Sequence, residues 1–317
     1  MTIDAVRLVR ETSIARVEYH PRLDSTNDRA ALCAAQKGIE LPALIVAEEQ
    51  TAGRGRGTNR WWTGPSSLAF SLLVDAETVA AGETRSPLVA LAAGVAVVDC
   101  LAPLLPTHQV GIHWPNDVHV RVLPSASGDK SRPSHPVGRI SKSVPENWTD
   151  LEIRPTSNPL PSSLEHTGPD DRKLAGILVE VLPDRRHVIG IGLNVNNTLA
   201  DAPAELRNTA ATLRDLAGRE YDRTGLLIDL WHCLERAFSQ LREDPKGLAA
   251  HADSLCLQRG QSVTLRWTNR KVSGVCRGIA ADGGILLETP DGLQTFLSGT
   301  AESCSRRCCV TPIRIGT

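Results

Sequence analysis

Between two apolar runs of strand length, residues 43–47 and 67–74, the chain places EEQTAGRGRGTNRWW at residues 48–62. Three glycines alternate there with two arginines, and a pair of tryptophans follows at once. Glycine lacks a Cβ, so its backbone can take positive φ and bring N–H groups close to a ligand. Arginine adds a forked, permanently charged donor for carboxylate or phosphate. The segment therefore reads as a loop carried between two strands. It fits an anionic ligand with a flat organic body, or else a solvated basic turn.

The flanking chain reads as an α+β protein. Residues 17–23 form a strand, and Asp24 or Ser25 caps a helix with Ala31, Leu32 and Ala35 on its apolar face and Gly38 as its stop. Ser86 and Pro87 open a helix to about residue 101, with Ser as cap and Pro in the first helical position. A strand over residues 110–122 is interrupted by Trp114-Pro115-Asn116-Asp117 and resumes. KLAGILVEVL and HVIGIGLNVN, joined at Pro183-Asp184, predict a hairpin buried on both faces. Leu227, Leu230, Trp231 and Leu234 have the spacing of a core helix over residues 224–241. From Gln258 onward, short strands punctuated by Thr268-Asn269, Asp282-Gly283-Gly284 and Asp291-Gly292 predict a small β-barrel.

Residues 123–172 break this pattern, with no sustained periodicity and eight of the chain's 20 prolines. That composition predicts a loosely structured insertion. Closing a loop of ~50 residues costs roughly 2 kcal/mol more than closing one of about six, so the sheet can carry it. The expected organisation is a large domain over 1–255 holding the insertion, a small β domain over 256–303, and a tail over 304–317.

Charge and composition exclude several classes. With 35 basic and 36 acidic residues the net charge is -1, which gives no field for nucleic acid or an anionic membrane. The N-terminus lacks the apolar core of a signal peptide, and no run approaches a transmembrane helix, so a cytoplasmic protein is expected. Eight cysteines are scattered through the chain and are expected to be reduced. Cys304, Cys308 and Cys309 lack CxxC spacing and a nearby histidine, which argues against zinc. No GxxxxGK[ST] occurs, so no P-loop is present, and Gly190-Ile191-Gly192 lacks the third glycine of a dinucleotide fingerprint.

Four motifs carry candidate chemistry, each with a plainer reading beside it. Ser25-Thr26-Asn27 can read a polar ligand at a helix start, or simply cap the helix. The glycine–arginine loop is the second. Trp114-Pro115-Asn116-Asp117 presents an amide and a carboxylate, and Asp117 could hold Mg2+ on phosphates, or the motif is an ordinary turn. Lys173 opens a buried strand beside the small pair Ala175-Gly176, or is a solvated gatekeeper.

GRGRG followed by a tryptophan, WPND, KLAGILVE and GIGLNVN, in this order, resemble the catalytic domain of biotin–protein ligases. Residues 258–303 resemble that family's C-terminal SH3-like barrel, so the likeness spans nearly the whole chain outside 123–172 and the tail. The resemblance implies a mixed β-sheet flanked by helices, of the class II aminoacyl-tRNA synthetase and biotin ligase type. It implies activation of biotin by ATP as biotinyl-5′-AMP, then transfer to a lysine of a biotin carboxyl carrier protein domain, with Mg2+. By the same resemblance Ser25, Thr26, Asn27 and Gln50 bind the biotin ring. The backbone of Gly53, Arg54 and Gly55 wraps biotin and phosphate, Arg56 retains the adenylate, and Trp61 covers the ligand. Lys173 bridges biotin carboxylate and α-phosphate with Gly176 giving close approach, while Asn116, Asp117 and Asn194 serve ATP and Mg2+.

Three features depart from the family's pattern. His113 stands where a lysine is usual, Thr58 where a glycine is usual, and the insertion separates Asp117 from Lys173. About two dozen residues precede Ser25, too few for the helix-turn-helix of the repressor members, so no operator binding is expected. The rival within the superfamily is a lipoate or octanoate ligase or transferase. The rival from another class is a non-catalytic adaptor built on the barrel. Biotin carriers present their lysine between methionines, and Met1 is the sole methionine here, so the chain is not itself the carrier. Nothing in the sequence decides between monomer and homodimer.

Overall fold

The computed structural model describes residues 2–79, 87–122, 171–267 and 270–303. Its larger sheet contains β1 (Arg16–Leu23), β2 (Ala43–Gln50), β3 (Leu68–Val74), β4 (His108–His113), β5 (Asp117–Val122), β6 (Arg172–Val181) and β7 (His187–Leu193). The strand order is β1-β2-β3-β7-β6-β5-β4, with β1 and β2 parallel and every other pairing antiparallel. A parallel pair needs a crossover, and α2 (Thr26–Ala34) supplies it. The other helices are α1 (Ala5–Glu11), α3 (Ala76–Val79), α4 (Leu88–Leu101), α5 (Ala204–Arg207), α6 (Leu213–Ala217), α7 (Arg223–Glu243) and α8 (Pro245–Ser254). The smaller sheet is antiparallel, with β8 (Ser262–Trp267), β9 (Arg270–Ile279), β10 (Ile285–Thr289), β11 (Gly292–Phe296) and β12 (Thr300–Ser303) in the order β11-β10-β9-β8-β12. The expected α+β class, a mixed sheet plus a C-terminal β unit, is what the chain adopts.

Strand alternation divides the larger sheet into two unlike faces. Leu44, Val46, Phe70, Leu72, Ile189 and Ile191 point into the main core with α4 and α7. Apart from the exposed Asp99, α4 is apolar all round, as a helix between two layers must be, and nearly all of it is buried. On the other face Ala43, Ile45, Leu73 and Val188 receive α2. The residues that α2 turns inward are Ala30, Cys33 and Ala34, whereas Leu32 is 65% exposed and Ala31 and Ala35 are also outside. The expected apolar face is therefore rotated: Thr26 and Asn27 also face inward, and the helix follows them. It ends at Ala34, with Gly38 three residues past the cap at φ +70.

Three further expectations need correction. Pro87 is the N-cap of α4 and makes no side-chain cap bond, while Ser86 lies outside the described residues. The Pro183-Asp184 hairpin forms, but only β7 is buried throughout; from Leu178 onward β6 is partly exposed, and Leu178 borders a cleft. Asp171 and Arg172, expected in the insertion, belong to the ordered sheet: Arg121 pairs with Asp171 at 2.6 Å, and Arg172 faces Val120. Residues 123–170, Thr268-Asn269 and the tail with Cys304, Cys308 and Cys309 lie outside the described residues. Trp114-Pro115-Asn116-Asp117 is the turn of the β4–β5 hairpin, with a cis Trp114–Pro115 bond.

Trp114 joins the two sheets. Its ring is fully buried, its Nε1 donates to Gly283 O at 2.9 Å, and its backbone N–H donates to Gln258 Oε1 at 2.7 Å. The segment after α8 pairs with β4 through Ile112 N to Leu255 O at 2.8 Å and Leu257 N to Ile112 O at 3.0 Å. The approach is close enough that a Cβ on Gly111 would lie 2.5 Å from Leu255 O. Among the described residues no helix is long and apolar enough to cross a membrane.

Candidate functional site

The second face of the larger sheet is left open beside α2, forming a cleft of about 270 Å³. Its floor follows from register: Gly176 faces Gly192, Leu178 faces Gly190, and Gly190 in turn faces Ser71. These glycines are vacancies that neighbouring side chains fill. A Cβ on Gly190 would lie 2.0 Å from Asn27 Oδ1, one on Gly192 2.1 Å from Trp61 Cε2, and one on Gly176 3.1 Å from Lys173 Cε. No side chain fits at Gly190 or Gly192 without displacing Asn27 or Trp61.

The N-terminus of α2 builds the polar end. Ser25 caps the helix, its Oγ accepting from Asp28 N at 3.4 Å. Gln50 Oε1 accepts from Thr26 N at 2.8 Å and Thr26 Oγ1 at 3.1 Å, while Gln50 Nε2 donates to Thr63 Oγ1 at 3.2 Å. Ser71 Oγ lies 2.7 Å from Thr26 Oγ1 and 2.6 Å from Asn27 Oδ1, and Asn27 Nδ2 donates to Glu180 Oε2 at 2.7 Å. Ser25, Thr26 and Asn27 are each nearly fully buried. The result is a rigid set of neutral donors and acceptors.

The glycine–arginine loop is a narrow excursion closed on itself. Arg54 bridges Arg60, Gly55 N donates to Asn59 O at 2.9 Å, and Trp61 N donates to Gly53 O at 2.9 Å. Its glycines do different jobs. Gly57 turns the tip at φ +65, whereas a Cβ on Gly53 would strike Trp61 O at 2.5 Å. Arg54 donates to Asp28 Oδ1 at 2.6 Å and to both oxygens of Glu180, at 3.1 and 2.6 Å. Arg56 reaches the smaller sheet, with Nη1 donating to Gly299 O at 2.6 Å. Burial pushes its guanidinium below the ordinary arginine range, while the nearby Asp117 charge opposes that shift.

At the other end β5 and β6 pair so that Lys173 Nζ lies 2.7 Å from Asp117 Oδ2, and the long insertion does not part them. The ammonium also sits 5.7 Å from the Trp61 ring centroid. Asn116 Nδ2 donates to Ile177 O at 2.6 Å, fixing the turn to β6. His113 stacks on His119 with centroids 4.4 Å apart, and burial pushes both imidazoles below 6.5, His119 the further. His113 is therefore no replacement for a lysine's charge. Trp61 Nε1, Asp117 Oδ1 and His119 Nδ1 are buried without a hydrogen-bond partner among the described residues. A donor and two potential acceptors thus face the cleft region unsatisfied, at a cost of about 1–3 kcal/mol each unless a ligand or solvent pairs them.

Twelve of the expected residues line this one cleft: Ser25, Thr26, Asn27, Gln50, Arg54, Gly55, Arg56, Trp61, Asn116, Asp117, Lys173 and Gly176. Gly53 and Asn194 are not brought to its lining. Asn194 is 4% exposed and turned to Asn197, whose Nδ2 donates to its Oδ1 at 3.2 Å. Sequence reasoning missed Ser71, Glu180, Gly190 and Gly192 as parts of the site. Alternation along β3, β6 and β7 could have grouped them, but only with the strand register known. It also missed Arg223, which grips Glu48 with two bonds of 2.7 and 2.9 Å and Ser67 O at 3.0 Å, fastening both roots of the loop.

Comparison with known proteins agrees with this fold. Residues 19–196 match the Biotin/lipoate A/B protein ligase family, and residues 260–302 match the Biotin protein ligase C terminal domain. The chain is 29% identical over 261 residues to a biotin--[acetyl-CoA-carboxylase] ligase of Mycobacterium tuberculosis, covering 81% of this chain and 77% of that protein. It is 26% identical over 289 residues to the bifunctional ligase/repressor BirA of Bacillus subtilis, covering 90% and 73%. Among solved structures, a biotin protein ligase from Aquifex aeolicus in complex with biotin and ATP has the same fold, with a TM-score of 0.66 at 23% identity over 92% of this chain and 100% of that one. The chain belongs to the Biotin/lipoate A/B protein ligase family and carries the C-terminal domain of its biotin protein ligases.

Proposed function

We propose that this chain is an ATP-dependent ligase that activates biotin as biotinyl-5′-AMP and transfers it to a lysine of a biotin carboxyl carrier protein domain. The observation that carries the reading is the order of chemistry along one cleft. A neutral donor–acceptor pocket at Thr26, Asn27 and Gln50 leads over a glycine floor under Trp61 to the Lys173 ammonium. That order suits a molecule with a urea-type ring at one end and a carboxylate at the other. A lipoyl or octanoyl chain has no group to match the polar end. The carrier as acceptor rests on the relatives, one of which is a biotin--[acetyl-CoA-carboxylase] ligase.

In the first step a biotin carboxylate oxygen attacks the α-phosphorus of ATP; the new P–O bond forms as the bond to the β-phosphate breaks and pyrophosphate leaves. Lys173 would stand against both anions at the point of attack, and Arg56 against the phosphate. Preorganised donors of this kind contribute about 3–4 kcal/mol each to the transition state. Trp61 would cover the mixed anhydride and exclude water. In the second step the carrier lysine amine attacks the acyl carbon, the C–N bond forms, AMP departs and the amine loses a proton.

Asp117 Oδ1, buried and unpartnered among the described residues, fits Mg2+ accompanying ATP, since Mg2+ takes one or two carboxylates and otherwise phosphate oxygens and water. Among the described residues no cluster of three His, Cys, Asp or Glu could hold a metal by itself. When bound, Mg2+ would neutralise phosphate charge. Incubation with biotin, MgATP and a carboxylase carrier domain should give pyrophosphate release dependent on biotin and label on the carrier lysine. Release with lipoate but not biotin, or with neither, would overturn the reading.

A further inference from the structure

Glu180 is placed in the middle of two networks that the reaction scheme leaves unconnected. It follows Gly176 and Leu178 at alternate positions on β6, and so faces the cleft side of the sheet. Its Oε2 accepts from Asn27 Nδ2 at 2.7 Å, and its two oxygens take the Arg54 fork at 2.6 and 3.1 Å. Asn27 belongs to the ring pocket and Arg54 to the loop above it.

A carboxylate can only accept hydrogen bonds, so Glu180 determines which way the Asn27 carboxamide faces. With Nδ2 toward Glu180, Oδ1 is turned to Ser71, 2.6 Å away, and the single Ser71 hydroxyl proton goes to it. Ser71 then cannot donate to Thr26 Oγ1; the Thr26 proton is shared between Ser71 Oγ at 2.7 Å and Gln50 Oε1 at 3.1 Å. The Thr26 oxygen keeps its lone pairs for an N–H from outside. If the amide were reversed, Oδ1 would meet the carboxylate, and Ser71 would donate to Thr26 and occupy one of its two lone pairs. The bare Gly190, whose Cβ would lie 2.0 Å from Asn27 Oδ1, leaves space for the Asn27 carboxamide against the sheet.

We propose that Glu180 is a positioning residue that couples the glycine–arginine loop to the pocket: one carboxylate sets the polarity of Asn27, Ser71 and Thr26 toward a urea-type ligand and tethers the loop through Arg54. The pocket half of this inference rests on the biotin reading above; the tether half does not. Because Asp28 also holds Arg54, at 2.6 Å, but has no side-chain bond to Asn27 among the described residues, the two halves separate by mutation.

Glu180→Gln keeps the shape and removes the charge and one acceptor. It should raise the biotin KM about tenfold with a smaller change in kcat. It should also speed trypsin cleavage after Arg54, Arg56 or Arg60 in the protein without ligand, again about tenfold. Asp28→Asn should speed the cleavage while leaving the biotin KM near that of the wild type. Arg54→Lys, which keeps a charge but loses the fork, should fall between wild type and Glu180→Gln in cleavage. A Glu180→Gln protein that melts as the wild type does, with unchanged KM and unchanged cleavage, overturns the proposal. So does an Asp28→Asn protein whose KM rises as much, since the effect would then pass through Arg54 alone. A wild type that releases no pyrophosphate with biotin defeats the function and the pocket half together. The trypsin comparison, which needs no ligand, then still decides the tether.

Discussion

The two faces of the larger sheet are built from the same strands, residue against adjacent residue, and have opposite characters. On β3 and β7 Phe70, Leu72, Ile189 and Ile191 enter a dry core under α4 and α7. Their neighbours Gly190 and Gly192 line a cleft and carry no side chain, and Ser71 lies buried under it against Thr26 and Asn27. The first face needs bulk, and its energy comes from area removed from water, about 1.5–3 kcal/mol for each large apolar side chain. The second needs absence of bulk, and its side chains are held by directed bonds. Stability and recognition thus sit one residue apart on the same backbone, so substitutions at neighbouring positions should fail in different ways.

The largest expected effect lies on the core face. Leu72→Ala removes a side chain that is 1% exposed and should cost about 2–5 kcal/mol in denaturant unfolding, leaving the biotin affinity of the folded fraction intact. Lys173→Ala lies on the cleft side and should do the reverse. Adenylate formation should fall about 10²–10³-fold, read as biotin-dependent pyrophosphate release, with little change in unfolding midpoint. If Leu72→Ala weakened biotin binding as much as Lys173→Ala slowed activation, the separation of the faces would be wrong.

Gly192→Ala is the sharper test, because it adds one methyl to the floor. That carbon would lie 2.1 Å from Trp61 Cε2, so Trp61 must move. The expected penalty is about 1–3 kcal/mol, appearing as loss of biotin affinity and faster loss of adenylate rather than as a lower melting temperature. The same methyl on the core face, as in Val→Ile, would test packing alone.

This difference also explains what could be read before the fold was seen. The core face announces itself in runs of Leu, Ile and Val, and strands β2, β3 and β7 fall close to the expected positions. Ser25, Gln50, Asp117 and Lys173 lie in distinctive local motifs, and the chain brings all four to one cleft. Ser71 and Glu180 carry no local signal: they matter because β3, β7 and β6 are neighbours, which is a long-range fact. α2 was misjudged for a related reason. Ala30 and Ala34, or Ala31 and Ala35, have equal helical spacing, and a nine-residue helix with weak amphipathicity does not say which pair turns inward. The anchoring of Thr26 and Asn27 on the sheet makes that choice.

The weakest expected effect concerns how α2 is fastened over the second face. Glu18 on β1 accepts from Arg29 Nε on α2 at 2.8 Å and from Arg16 Nη2 at 2.7 Å. Burial works against ionisation of this carboxyl, but the hydrogen bonds from Arg29 and Arg16, with Cys33 and His20 beside them, prevail and hold it at about 2, against 4.5 for the free group. A carboxyl depressed in the folded state contributes stability above its unfolded pKa and loses it as pH falls toward the folded value. The clasp should therefore be intact at neutral pH and should weaken between about pH 4.5 and 2. The full shift would correspond to about 3 kcal/mol, and exposure of Arg16 lowers the expectation to roughly 1–2 kcal/mol. Glu18→Gln should be less stable than the wild type by that amount at about pH 7, and the gap should narrow to about a quarter of it by about pH 2.5. The deficit of Leu72→Ala, which involves no ionisable group, should persist across the same range. A Glu18→Gln deficit that stayed constant down to pH 2.5 would mean that α2 is held by apolar contact after all, and that the two faces are fastened by the same means.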